Sequence, residues 1–269
     1  MANLADIVAA TRRKMSECRS KADLRELERG AASHVPRGFR AALESASESG
    51  VAVIAELKKA SPSRGLIRRE FDPAKLAREL ELAGAAALSV LTDEEFFQGS
   101  LENLRIASAE TRLPCLRKDF IVDEFQIIEA RANRADAILL IVAALSKSEL
   151  ITLKRKAEDH GLDVLCEVHD DEELGHALNA GCDLIGVNSR DLRTFKVDLG
   201  TAFRLAERMP ENVLAVAESG IESGSDIGQL RSAGYSGFLI GETLMKAQKS
   251  GEALKSLLVE ASAASAIAR

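Results

Sequence analysis

With 269 residues, 46% of them hydrophobic, the chain is long enough to bury a large core, and its length suits one α/β barrel. A net charge of −6 and a pI near 5.5 exclude the basic footprint of a duplex-binding protein. Aromatics at 4%, with no Trp and a single Tyr, leave no stacking platform for single strands, so no nucleic-acid partner is expected.

The N-terminus meets Asp6, then Arg12, Arg13 and Lys14, before an apolar signal core can form. The longest apolar run, Ala137–Leu145, is too short to span a bilayer, so no membrane association and a cytoplasmic location are expected. Cys18, Cys115, Cys166 and Cys182 form no C-x-x-C pair and read as reduced thiols that mostly pack.

Residues 1 to about 48 have no strand and read as three helices, Leu4–Arg19, Ala22–Gly30 and Arg37–Ser47. They either cover one end of the remaining chain or close over its functional mouth. Strand-like segments then recur at Val51–Ala55, Ala86–Leu91, Pro114–Leu116, Ala137–Val142, Asp163–Cys166, Leu184–Val187, Val213–Ala217 and Gly237–Ile240. Helical stretches fall between most of them, at Pro73–Ala83, Glu124–Ala132, Ser148–His160, Asp171–Ala180, Thr201–Arg208 and Ser225–Ala233. Gly84, Gly161, Gly181 and Gly234 stand at helix stops. Eight such units predict a parallel sheet covered on both faces. With no Gly-x-Gly-x-x-Gly after the first strand, a closed (β/α)8 TIM barrel is favoured over an open doubly wound sheet. The whole of 1–269 reads as one barrel domain, with 1–48 as a helical extension.

Charge appears where the strands end. Alternation puts Ile54, Glu56 and Lys58 on one face, Leu116, Lys118 and Phe120 on another, and Leu165 with Glu167 on a third. Strand six ends in Asn188-Ser-Arg190 and strand seven in Glu218-Ser-Gly220. Barrel enzymes place their catalytic groups at such C-terminal strand ends. Three carboxylates (Glu56, Glu167, Glu218) against three cations (Lys58, Lys118, Arg190) make a balanced cluster that shifts pKa values and supplies an acid and a base. Any one of these charges alone reads more simply as a structural ion pair; five strand ends together do not.

After strands seven and eight, Glu218–Gly224 and Ile240–Met245 are turns of the kind that bind phosphate through backbone N–H groups, with Gly220 and Gly241 permitting close approach; plain turn chemistry is the alternative. Glu242 is awkward beside phosphate, and its side chain is expected to point away while its N–H faces the ligand. His169 reads as a solvated loop histidine. With His176 it offers no metal-site pattern, and no metal is expected. Lys154–Lys156 and Asp170–Glu173 read as solvated helix faces. Segment Ser61–Arg69, with Pro62, Gly65 and two arginines, reads as either a mobile lid or a solvated loop.

The run Val53-Ile-Ala-Glu-Leu-Lys-Lys-Ala-Ser-Pro-Ser-Arg-Gly65 resembles the signature of the indole-3-glycerol phosphate synthase family. The resemblance continues through Leu91–Ser100, Leu116–Phe120, Ile138–Leu145, Gly186–Leu192 and Ala217–Ile221, covering essentially the whole barrel. It implies ring closure, decarboxylation and dehydration of the phosphorylated substrate 1-(2-carboxyphenylamino)-1-deoxyribulose 5-phosphate in tryptophan biosynthesis, by a lyase without cofactor or metal. It further implies Lys118 as general acid and Glu167 as general base, with Lys58 on the substrate carboxylate or sharing the acid role in dehydration; which lysine serves which step stays open. Glu56, Asn188 and Glu218 would hold hydroxyls and orient the lysines. Arg190 and Ser219 would help hold the carboxylate, Phe120 would pack on the aromatic ring, and Ser61, Gly220, Gly241 and Glu242 would lie near the phosphate. Ser189 and Ala217 depart from the family's usual Asn and Ser, at positions expected to face packing.

Two rivals remain at this level. A phosphoribosylanthranilate isomerase would want a Cys at the end of strand one, where neither Cys115 nor Cys166 lies. A barrel that merely binds a sugar phosphate would not require Lys118 and Glu167 together. With no strongly apolar surface stripe, a monomer is expected.

Overall fold

A computed structural model describes residues 3–191 and 194–267; Met1 and Ala2 of the N-terminal extension and Leu192 of the Gly186–Leu192 motif lie outside them. Eight parallel strands close into a barrel, each hydrogen-bonded to its sequence neighbour and the last to the first. They are β1 (Ala52–Leu57), β2 (Ala87–Leu91), β3 (Cys115–Lys118), β4 (Ala137–Ile141), β5 (Asp163–Val168), β6 (Leu184–Asn188), β7 (Leu214–Glu218) and β8 (Gly237–Ile240). All eight expected strands are present. Their main departure from expectation is at the C-terminal ends: β1, β3, β5, β6 and β7 run on to include Glu56, Lys118, Glu167, Asn188 and Glu218. A charge or amide does not end a strand when its side chain points into a shared polar layer.

Alternation sorts the side chains into two cores. Val53, Ala55, Leu88, Ile138, Cys166, Ile185 and Ala217 face outward into the strand–helix layer. Ala52, Ile54, Leu116, Leu139, Leu165, Leu184, Val216 and Leu239 face inward and fill the barrel. The departure at Ala217 therefore lies in the packing layer, as expected. Ser189 is also buried.

The helices follow in chain order. α1 (Leu4–Lys21), α2 (Leu24–Ser33) and α3 (Phe39–Ser49) precede the barrel. α4 (Pro73–Leu82), α5 (Leu101–Ala109), α6 (Glu124–Ala132), α7 (Lys147–Asp159), α8 (Asp171–Asn179), α9 (Gly200–Ala206), α10 (Gly224–Ser232), α11 (Glu242–Lys246) and α12 (Ser250–Ile267) belong to it. Side-chain caps explain the sharp starts. Asp72 caps α4, which has Pro at its first turn, and Asn3, Asp123, Ser146 and Ser223 form capping boxes on α1, α6, α7 and α10.

The first three helices serve both ends of the barrel. Phe39 and Leu43 of α3 are fully buried against the inward residues Ala52, Ala137, Leu184 and Leu214 at the strand starts, so α3 plugs the N-terminal end. Asp136, just before β4, is fully buried and gathers His34 Nε2, the Arg37 guanidinium and the Cys115 N–H. Burial works against its charge, but these donors hold the carboxyl below its usual range. α1 instead lies along the opposite rim, with Arg12 on Glu149, Lys14 on Glu94 and Arg19 on Asp123.

One expectation is corrected here. Cys166 of β5 and Cys182, in the turn before β6, are joined as a disulfide, with Cα atoms 6.6 Å apart; Cys18 and Cys115 are free. Both paired residues belong to the strand–helix layer, where adjacent parallel strands bring them together.

Candidate active site

At the C-terminal ends of the strands lies a cavity of about 530 Å³. Its walls include Glu56, Lys58, Ser61, Lys118, Phe120, Glu167, Asn188, Arg190, Glu218, Ser219, Gly220, Gly241 and Glu242. Every residue expected at the site thus meets in one place. No residue of α1, α2 or α3 lines it, so α1 borders the mouth without entering it.

At the floor, Lys118 Nζ lies 2.8 Å from Glu167 Oε2 and 3.2 Å from Glu218 Oε2, while Lys58 Nζ pairs with Glu56 at 2.5 Å. Register produces this layer: Leu91 pairs with Lys118, Ile141 with Glu167, and Asn188 with Glu218 on neighbouring strands. Burial disfavours the charge on Lys118, but Glu167, Glu218 and Glu56 outweigh it and hold the ammonium well above the usual lysine range. Burial also opposes ionisation of Glu167, yet Lys118 and His169 hold its carboxyl well below the usual carboxylate range. Glu218 goes the other way. Burial, reinforced by the charge of Glu167, pushes it up to about 7 against the pull of Lys118, and its Oε1 is buried without a hydrogen-bond partner.

Two glycines make room for these acids. A Cβ at Gly186 would collide with the Glu218 carboxylate, and one at Gly241 with that of Glu56. Backbone strain sits at the same level: Ser219 has φ +64° directly after β7, followed by Gly220 at φ +80°, a conformation glycine adopts freely.

The rim carries the remaining cations. Arg64, Arg190 and Lys246 all converge on the Glu242 carboxylate, at 3.1, 3.3 and 2.6 Å. Glu242 lines the cavity, its charge answered by these three cations. The Ser61–Arg69 segment forms a small antiparallel hairpin, Ala60–Ser61 against Gly65–Leu66, and Ser61, Pro62, Ser63 and Arg64 face the cavity. Arg68 ties it down through the carbonyls of Met245, Ala247 and Gln248 and the Ser250 hydroxyl.

Several wall residues were not singled out from sequence. Phe97 packs on Phe120 with ring centroids 6.1 Å apart; its signal was the pair Phe96-Phe97 within a polar loop. Lys246 is one helical turn after Glu242, a spacing that pairs opposite charges. Arg64 follows Ser61 in the hairpin. His169 is a second correction. It is not solvated but packed between two carboxylates, Nε2 3.3 Å from Glu167 Oε1 and Nδ1 2.9 Å from Glu173 Oε2. Its neighbour Glu173 is accordingly not a plain solvated charge either.

Over residues 4–257 the chain matches the model of the family described as indole-3-glycerol phosphate synthase. The chain belongs to that family. It is 60% identical over 252 residues to the indole-3-glycerol phosphate synthase of Koribacter versatilis, an alignment that covers 94% of this chain and 97% of the relative. The indole-3-glycerol phosphate synthase of Chlorobium chlorochromatii is 51% identical over 209 residues, 78% of this chain and 81% of the relative. Among solved structures, the tryptophan synthase α subunit of Legionella pneumophila aligns with a TM-score of 0.61 at 14% identity, covering 85% of this chain and 99% of that one, which shows the shared barrel fold alone. Among the described residues, no helix is long and apolar enough to cross a membrane, and no three His, Cys, Asp or Glu side chains are grouped to hold a metal ion.

Proposed function

We propose that the chain converts 1-(2-carboxyphenylamino)-1-deoxyribulose 5-phosphate to indole-3-glycerol phosphate by ring closure, decarboxylation and dehydration, using side chains alone. The observation that carries the residue assignment is the Lys118 ammonium set between Glu167 and Glu218 beneath a cationic rim. A charged Lys118 is poised to protonate the ketone oxygen as the ring closes, and an ionised Glu167 is ready to take the proton removed later. Lys58, kept in place by Glu56, receives the substrate carboxylate, with Arg190 and Ser219 assisting. Glu56, Asn188 and Glu218 hold the substrate hydroxyls. Phe120, backed by Phe97, stacks on the aromatic ring.

Ser61, Gly220, Gly241 and the Glu242 N–H line the end of the cavity suited to phosphate, where Arg64 and Lys246 add charge. The whole chain is read as one catalytic barrel unit working as a cytoplasmic monomer, its exposed large apolar residues, such as Val35, Leu82 and Val259, being few.

The test is fluorescence. The chain has no Trp, so the background in the indole emission region is low. Mixing protein and substrate should give growing indole emission that is lost in Lys118→Ala. A flat trace from folded, substrate-binding protein would overturn the reading and favour the binding-only barrel.

A further inference from the structure

The reaction has a proton deficit. A substrate with an ionised carboxylate yields carbon dioxide, water and an indole of no greater charge, so each turnover consumes one proton from solvent. In side-chain terms, one proton goes to the ketone oxygen and one to the departing hydroxyl, while one is removed as the double bond forms. Glu167 can return the removed proton to Lys118 across their 2.8 Å contact. The other has to be brought in before the next turnover, to a lysine whose side chain is only 13% exposed.

Behind Glu167, on the side away from the cavity, lies a connection to the surface. Glu167 Oε1, the oxygen not used by Lys118, is 3.3 Å from His169 Nε2. His169 Nδ1 is 2.9 Å from Glu173 Oε2, and the Glu173 side chain is 18% exposed where that of Glu167 is only 2% exposed. Glu173 is fixed to the strand end as well, accepting the His169 N–H at 2.8 Å. Neither His169 nor Glu173 lines the cavity, so substrate does not block them. We propose that Glu173 and His169 form a proton inlet that recharges Lys118 through Glu167 once per turnover. His169 is then a positioning and relay residue that acts through Glu167 and never touches substrate.

The groups facing the imidazole are Glu167 from β5 and Glu173 from α8. Burial opposes its charge, but these two raise it to about 10, so it rests protonated and loaded. Its Nε2 is buried without an aligned hydrogen bond, which makes the step to Glu167 the link that has to swing. In that step the Nε2–H bond breaks and a Glu167 O–H bond forms; the neutral ring keeps its Nδ1–H, turns so that the bare Nε2 meets Glu173, takes a proton there and turns back. No electrons change hands.

This proposal rests on the synthase reading, and the experiment separates the two. Lys118 is loaded before substrate arrives, so a chain without the inlet still completes one turnover. With His169→Asn, rapid mixing should give a burst of indole near one per site at close to the parent rate, then a steady state slowed roughly tenfold or more. In His169→Ala, added imidazole should restore the steady state saturably. Glu173→Gln, which keeps an oxygen acceptor, should slow the steady state and make it depend on buffer concentration. A burst slowed as much as the steady state, an unchanged steady state, or failure of imidazole to rescue would each overturn the inlet while leaving the synthase reading intact. Absence of indole from the parent chain would overturn that reading itself.

Discussion

Lys118 and Glu167 carry opposite charges 2.8 Å apart, yet removing either one alone has a different structural cost. Lys118→Ala leaves Glu167 and Glu218 facing each other, so turnover should fall about 10²–10⁴-fold while substrate still binds, as measured by kcat beside a binding titration. Glu167→Gln leaves Lys118 paired with Glu218 and should cut kcat comparably with little change in the urea midpoint; an unfolded variant would instead make the pair structural. His169 also sets a pH dependence. Its folded pKa of about 10 lies above that of an unfolded histidine, so the folded chain holds more protons between the two values. The stability His169 contributes is complete below about 6.5 and lost as pH rises through about 10. Urea midpoints across that window should decline, and the decline should be shallower in His169→Gln.

Among elements, α3 and the Ala60–Leu66 hairpin make different predictions. Leu43 of α3 is fully buried at the end of the barrel remote from the acids, so Leu43→Ala should cost about 2–5 kcal/mol in denaturant melts while kcat per folded molecule is kept. The hairpin contributes little to the core but places Ser61 and Arg64 on the cavity wall, and Arg68 fastens it to the carbonyls at the end of α11. Arg68→Ala should raise KM about tenfold, because the hairpin that carries Ser61 and Arg64 is released, and should also lower the melting temperature, since charge-assisted hydrogen bonds of this kind are worth about 1.5–3 kcal/mol each. Steady-state kinetics and a thermal melt on one preparation decide both.

Across the whole molecule, what could be read from the sequence was whatever repeats or alternates. Eight apolar segments at βα spacing gave the barrel, and period-two alternation put Glu56, Lys118 and Glu167 inside it, because a strand's two faces meet different environments. What could not be read depended on contacts between distant segments. Nothing local tells that Glu242 receives Arg64 and Arg190, or that Cys166 meets Cys182. His169 comes directly after Asp163–Val168, and its histidine-after-strand pattern fits a solvated loop equally well; only the fold of Glu173 back from α8 encloses it. Of the two readings open for the N-terminal helices, covering one end is what α3 does, while α1 borders the mouth without lining the cavity.

Gly186 has no side chain, and the space is taken by the Glu218 carboxylate from the next strand. The two positions therefore share a single volume. What would have to give way for a side chain at 186 is the far end of the Glu218 side chain and not the backbone. The acid that shares Lys118 with Glu167 is thus the part of the barrel most exposed to a change at that glycine.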